Sequence, residues 1–201
     1  MSAPLRQSLP FTPFPSARAS LKPGALYAID GDDGFIYYGQ VTPEKSIGFF
    51  RLRSEVVSIP DALSAAVMSR FLVGHPSIGR AVRSGKWLSI GTHPIHTALC
   101  DQAAMVQWPV GTTEVTIWKG GVTIGTTQVH DPSIQDLEII AAYDAEAHVP
   151  ERLRVDYNGN GDAWSVGGSI RRERVKKQAL ARKFPDAPWH QLPSDWVPVE
   201  E

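Results

Sequence analysis

The chain has 201 residues, 42% of them hydrophobic and 20% charged, with a formal net charge of −1. That length supports one domain with a core of its own plus appended ends, and the composition is that of an ordinary globular protein. No uninterrupted apolar run approaches the roughly 20 residues of a bilayer-spanning helix, prolines break the N-terminal stretch where an export signal would be continuous, and a single cysteine, Cys100, excludes an internal disulfide. A soluble protein of the reducing cytoplasm is expected.

In chain order, residues 1–21 form an arm punctuated by Pro10, Pro13 and Pro15, which forbid a continuous helix. Phe11 and Phe14 between them are candidates for docking on the domain. Residues 22–53 read as a meander of three antiparallel strands: 25–29, 35–41 and 47–52, rich in β-branched and aromatic residues. Asp30, Gly31, Asp32, Asp33 and Gly34 supply the first reversal, with glycines free to take positive φ and aspartates able to bond their own backbone. Residues 42–45 supply the second, and Gly48 marks a bulge or a close approach.

One helical turn is expected at 60–64, and a buried strand at 65–73, with helix as the alternative for so short an apolar run. Pro76 in a first turn, Ile78 and Val82 on one face and Gly85 as terminator predict a helix from His75 through Arg83. Residues 87–90 pack back on the sheet, and 94–104 hold a helical turn or two. Strands follow at 105–108, 114–118 and 122–129, the last two joined by Lys119, Gly120 and Gly121 in a hairpin. Residues 134–143 are open between strand and short helix. A helix over 149–157 has Pro150 and Glu151 in its first turn and Leu153 and Tyr157 at four-residue spacing. A basic helix at 171–184 precedes a tail in which Trp189 and Trp196 are expected to dock. The expected organisation is an arm at 1–21, an α+β domain at 22–168 with an antiparallel, partly barrel-like sheet and a few short helices, and an extension at 169–201.

Charge is distributed in blocks. Residues 1–100 carry ten basic and six acidic side chains, 101–170 three and ten, and 171–183 seven basic groups against Glu173 alone. Internal neutralisation of the acidic by the basic segment and a role in partner binding are both compatible with that pattern.

The segments PGALYAI at 23–29, FIYYGQV at 35–41, IGFF at 47–50, Trp87 ahead of Ile90 and Gly91, LE at 137–138 and ERLR at 151–154 resemble the bacterial immunity protein 26 family. That group also takes in a small phosphotriesterase named for coroxon hydrolysis. The resemblance spans residues 23–159 and leaves the N-terminal arm and C-terminal extension outside it. It implies a non-catalytic protein that neutralises a cognate polymorphic toxin by binding it.

Residue chemistry offers further candidates. His93 and His96, three apart, with Asp101 and His130 brought from elsewhere, are a candidate metal cluster; Pro94 between the histidines and the absence of a zinc-motif spacing favour surface or capping roles. Asp156, Asn158, Asn160, Gly161 and Asp162 match the start of a calcium loop, but Gly167 stands where the bidentate acid belongs, so a solvated turn is the simpler reading. Cys100 has no evident histidine partner and reads as a packed thiol. Ser77, Ser89 and Ser165 lie in no nucleophile elbow, and no glycine pair opens a phosphate-cradling helix.

Three functions follow. The first is toxin neutralisation by occlusion, with Asp131, Asp136, Glu138, Asp144 and Glu146 as the surface complementing a basic toxin, no catalytic residue and no cofactor. The second is hydrolysis of a phosphotriester or related ester through His93, His96, Asp101 and His130. The third is a nucleic-acid adaptor using the basic helix; with no aromatic residue interleaved in that run, nucleic acid is not the expected partner, and no membrane is. A homodimer is an open alternative.

Overall fold

The computed structural model describes residues 11–159 and 167–199. They divide into two compact units, one drawn from residues 1–100 with 142–158, the other from 101–141 with 159–201. The protein is α+β, and no described helix is long and apolar enough to cross a membrane.

In the first unit, β1 (Ala25–Asp30), β2 (Ile36–Val41) and β3 (Ile47–Ser54) form the expected meander, each antiparallel to the next. The reversal after β1 uses the chemistry of its residues: Asp30 Oδ1 accepts the Asp32 amide at 2.9 Å, Asp33 Oδ1 accepts the Phe35 amide at 3.1 Å, and Gly34 takes φ 86°. Gly48 is a close approach, since a Cβ there would collide with the Leu99 side chain. Helix α1 (Ile59–Ser64) is one turn with Pro60 at its start and Ala62 facing inward. Residues read as a buried strand form β4 (Val67–Val73), in which only Phe71 and Val73 are fully buried. Helix α2 (His75–Ser84) buries Ile78, Ala81 and Val82 and ends at Gly85, whose φ of 80° is the left-handed cap that only glycine adopts without strain. β5 (Trp87–Thr92) is a strand paired with β1, and a 3-10 turn follows at Thr97–Leu99.

The chain then builds the sheet of the second unit: β6 (Ala104–Gln107), β7 (Glu114–Lys119), β8 (Val122–Gln128) and β9 (Glu138–Ile139), in the order β8-β7-β6-β9. The turn between β7 and β8 has positive φ at both Gly120 (60°) and Gly121 (81°), the geometry whose twist matches a hairpin. Residues 134–143, open between strand and helix, resolve into the end of a 3-10 turn (Pro132–Ile134) and two two-residue strands, because the run is split between the two units.

The second of those strands, β10 (Ala142–Tyr143), pairs parallel with β4 and completes the sheet of the first unit, β10-β4-β3-β2-β1-β5, which curls into a half-barrel. Helix α3 (Val149–Asn158) packs Val149 and Leu153 inward and carries a buried ion pair in which Arg152 Nε donates to Asp156 at 2.9–3.0 Å. The Arg152 guanidinium lies 4.8 Å from the Phe71 ring centre and 5.5 Å from that of Tyr143. β1 and β2 are buried at every position, and their tyrosines are satisfied through their hydroxyls: Tyr27 donates to Ser20 O at 2.7 Å, Tyr37 to Asp33 at 2.9 Å and Tyr38 to Val56 O at 3.1 Å. Burial, helped by the neighbouring Asp33 carboxylate, pushes the Tyr37 phenol up to about 12. Phe11 of the N-terminal arm docks into this core, whereas Phe14 stays 62% exposed, its amide donating to Arg83 O at 3.1 Å.

Helix α4 (Ile170–Lys183) belongs to the second unit, where Ile170 joins Val106, Val115, Val129 and Ile134 in the core. Ser169 caps its start, accepting from the Arg172 amide. Trp196 docks as expected, stacked on Trp108 with ring centres 6.0 Å apart and planes 14° from parallel. Trp189 does not dock and is 80% exposed. The 3-10 turn Pro188–His190 holds its indole away from the unit, and the neighbouring Phe184 stacks on His190 instead, at 5.4 Å.

Candidate functional site

The acidic residues singled out from sequence separate into two groups. Asp131 and Asp136, on the loop between β8 and β9, and Glu138, on β9, lie in the second unit, while Asp144 and Glu146 lie in the first, between β10 and α3.

The loop of the second unit is braced from within. Gln135, buried in it, donates to Val129 O at 3.0 Å and Asp131 O at 2.6 Å and accepts from Arg174 Nη1 of α4 at 2.7 Å; the Arg171 amide donates to Gln135 O at 2.9 Å. Asp131 caps the 3-10 turn. Its carboxylate accepts from the Thr127 hydroxyl at 2.7 Å and from the Ser133 amide and hydroxyl, each at 2.8 Å, and these bonds, Thr127 first, hold it below the usual carboxylate range. Asp136, on the outer side of the same loop, has a side chain 93% exposed, with Arg171 Nε 3.7 Å from its carboxylate. Glu138 is half-buried on β9.

In the first unit Asp144 is a turn-former. Its carboxylate accepts from the amides of Glu146 (2.9 Å) and Ala147 (3.0 Å) and pairs with Arg80 at 2.5 Å. The Ala147 amide leads in lowering its pKa, against a smaller opposing effect of burial. Glu146 accepts from the Ser84 hydroxyl at 2.6 Å and lies 3.8 Å from Arg80. Much of the charge on these two carboxylates is therefore answered inside their own unit.

The histidines hold loops together. His93 Nε2 lies 3.0 Å from Ile90 O, while His96 Nδ1 accepts the Ala98 amide at 3.2 Å and its ring meets Phe50 edge-on at 5.7 Å. Asp101 and exposed His130 belong to the other unit. Among the described residues no three His, Cys, Asp or Glu side chains gather as a metal-ligand set. Of the calcium-loop residues, Asn160, Gly161 and Asp162 lie outside the described residues, and Asp156 is the buried partner of Arg152. Cys100, expected to be packed, is exposed: it closes the 3-10 turn with its Sγ 3.7 Å from His96 O, and Leu99 takes the inward position.

One anchoring residue escaped the sequence reading. Gln40, fully buried in β2, accepts from the His96 amide at 2.9 Å and donates to Pro94 O at 3.0 Å, which pins the histidine segment to the sheet. Its only signal was a polar residue inside an otherwise apolar strand.

The basic run also changes character once folded. Arg174 and Gln178 turn inward, Arg174 donating to Val197 O at 2.9 Å, and Lys177 lies 5.0 Å from the Trp108 ring centre. Arg171, Arg182 and Lys183 are exposed, and Lys183 sits 5.4 Å from the centre of Phe184. The chain matches no protein-family model, no curated protein and no solved structure.

Proposed function

We propose that this chain is a non-catalytic binding protein of the immunity type, which neutralises a cognate bacterial toxin by covering its functional surface. The observation that carries the reading is the acidic loop of the second unit: Asp136 presents a carboxylate almost wholly to solvent on a loop held rigid by Gln135 and Arg174. A braced acid loses little entropy on docking and steers a basic partner over a distance comparable with the Debye length. Asp131 stays ionised beside it because its hydrogen bonds favour the charged form. The resemblance of residues 23–159 to an immunity family supplies the partner class, a protein toxin.

Co-expression with a candidate toxin taken from the neighbouring genes tests the reading. Survival is expected, and cell death in the presence of abundant soluble protein overturns it. With purified partners, Asp136→Lys slows association about tenfold at low salt and leaves the melting temperature in place; an unchanged rate removes the acidic loop from the interface.

A further inference from the structure

The C-terminal half of α4 and the aromatic corner beyond its end form a second surface, while Arg171 at the other end of the helix meets Asp136 of the acidic loop at 3.7 Å. Along the helix, Arg171, Arg182 and Lys183 are exposed, with Lys176 half-buried beside them. The apolar positions Ile170 and Leu180 face the unit's own core. At the helix C-terminus Phe184 stacks on His190, and Trp189 lies against the same imidazole at 6.2 Å with its own ring 80% exposed. A large indole left this open has a high free-energy cost of hydration unless something covers it. Cations whose charge serves backbone phosphates, next to a free aromatic face on which a base can stack, are the two parts of a single-stranded nucleic-acid platform.

We infer that this cation–aromatic corner binds single-stranded nucleic acid, with phosphates running along Arg182 and Lys183 and a base stacked on Trp189. The helix extends about 1.5 Å per residue, so a strand following its exposed side spans a few nucleotides. A duplex is disfavoured because its base faces are already covered by stacking. A lipid surface is disfavoured because Ile170 and Leu180 are used internally and the outward side of α4 sets Val175, 50% exposed, among the charges of Arg171, Arg182 and Lys183. The nearby acid Asp186 is exposed and lies between the helix and Trp189 in sequence; its removal is expected to tighten binding.

Fluorescence anisotropy of a labelled 12-mer oligo(dT) with the full chain, titrated between low and moderate salt, tests this. Binding is expected to weaken with salt by a slope of about −0.7 per phosphate engaged. Arg182→Gln with Lys183→Gln makes that slope shallower by about 1.4, two contacts fewer. Trp189→Ala weakens binding about 5- to 150-fold without changing the slope, and Trp189→Tyr restores most of it. Because the indole is exposed, the Trp189 variants keep the wild-type melting temperature, which separates lost contact from lost fold. No salt-sensitive binding at low salt, wild-type affinity in the Trp189→Ala protein, equal affinity for a 12-base-pair duplex, or binding to phosphatidylserine vesicles but not to the oligonucleotide each overturns the inference.

Discussion

The two units solve the same problem, covering a sheet, to different depths. In the first, β1 and β2 are buried along their whole length, and Trp87, Tyr27, Tyr37, Tyr38, Phe49, Phe50 and Phe71 are fully enclosed. In the second, β8 ends the sheet with Val122 63% and Ile124 57% exposed, and the core is a small set of β-branched residues with Trp108 and Trp196 at its margin. The contrast assigns the parts different work. The aromatic half-barrel carries stability, and the shallower unit carries exposed charge and aromatic surface at no comparable risk to the fold.

Removing a large enclosed side chain is the strongest way to break this contrast. Trp87→Ala empties a site where the indole also donates to Ala145 O at 3.1 Å, and is expected to cost about 3–5 kcal/mol in denaturant unfolding. Trp196→Ala, at a half-buried stacking site, costs less; equal losses for the two would erase the distinction.

The buried ion pair of the first unit comes close behind. Arg152→Ala leaves the Asp156 carboxylate buried without that partner and costs about 3–5 kcal/mol, whereas Arg152→Met with Asp156→Leu is near neutral. A mild effect of the single change, read by chemical denaturation, shows that the site relaxes and admits water.

Overpacking gives a smaller and more local test. Gly48→Ala pushes a methyl group against Leu99 and is expected to cost about 1–3 kcal/mol, with a smaller penalty in a Leu99→Ala background. Additive losses in that double-mutant cycle would mean the backbone, not Leu99, sets the constraint.

Acid sensitivity sharpens the comparison on the side of charge. The lowered pKa of Asp144 means that its contribution is present above the ordinary carboxylate pKa and is lost as pH falls through its folded value. Asp144→Asn, which removes the charge paired with partly exposed Arg80, therefore costs about 0.2–1 kcal/mol near neutrality, and the difference from wild type closes below about pH 4. The reverse sign applies to Tyr37, whose stabilising effect is lost as pH rises from the usual phenol range toward about 12. Stability curves of the two proteins against pH check both ends. Smallest of all, Trp189→Ala shifts stability within about 0.5 kcal/mol; a larger loss would place that indole inside the fold.

Local patterns made much of the secondary structure legible. Gly120 and Gly121 between β-branched runs specify a hairpin turn, Pro76 and Gly85 bracket a helix, and the Asp-Gly reversal after β1 follows from side chains that bond their own loop. These signals are short-range, so a linear reading finds them. Harder to see was residues 134–143, where two-residue strands exist only because partners distant in the chain, β6 and β4, accept them.

The chain by itself determined its alternation of strand and helix and its blocks of charge, because each depends on neighbours a few residues apart. Only the tertiary structure decided which carboxylates remain presented to solvent, since Arg80 lies 64 positions from Asp144 and Gln135 is 39 from Arg174. It also decided the setting of the basic run, in which Lys177 lies 5.0 Å from the ring centre of Trp108, a residue distant in sequence that folding brings to it. Long-range packing, with an entropy cost and a reward that no local pattern records, sorts equally polar residues into those used to hold the fold and those left for a partner.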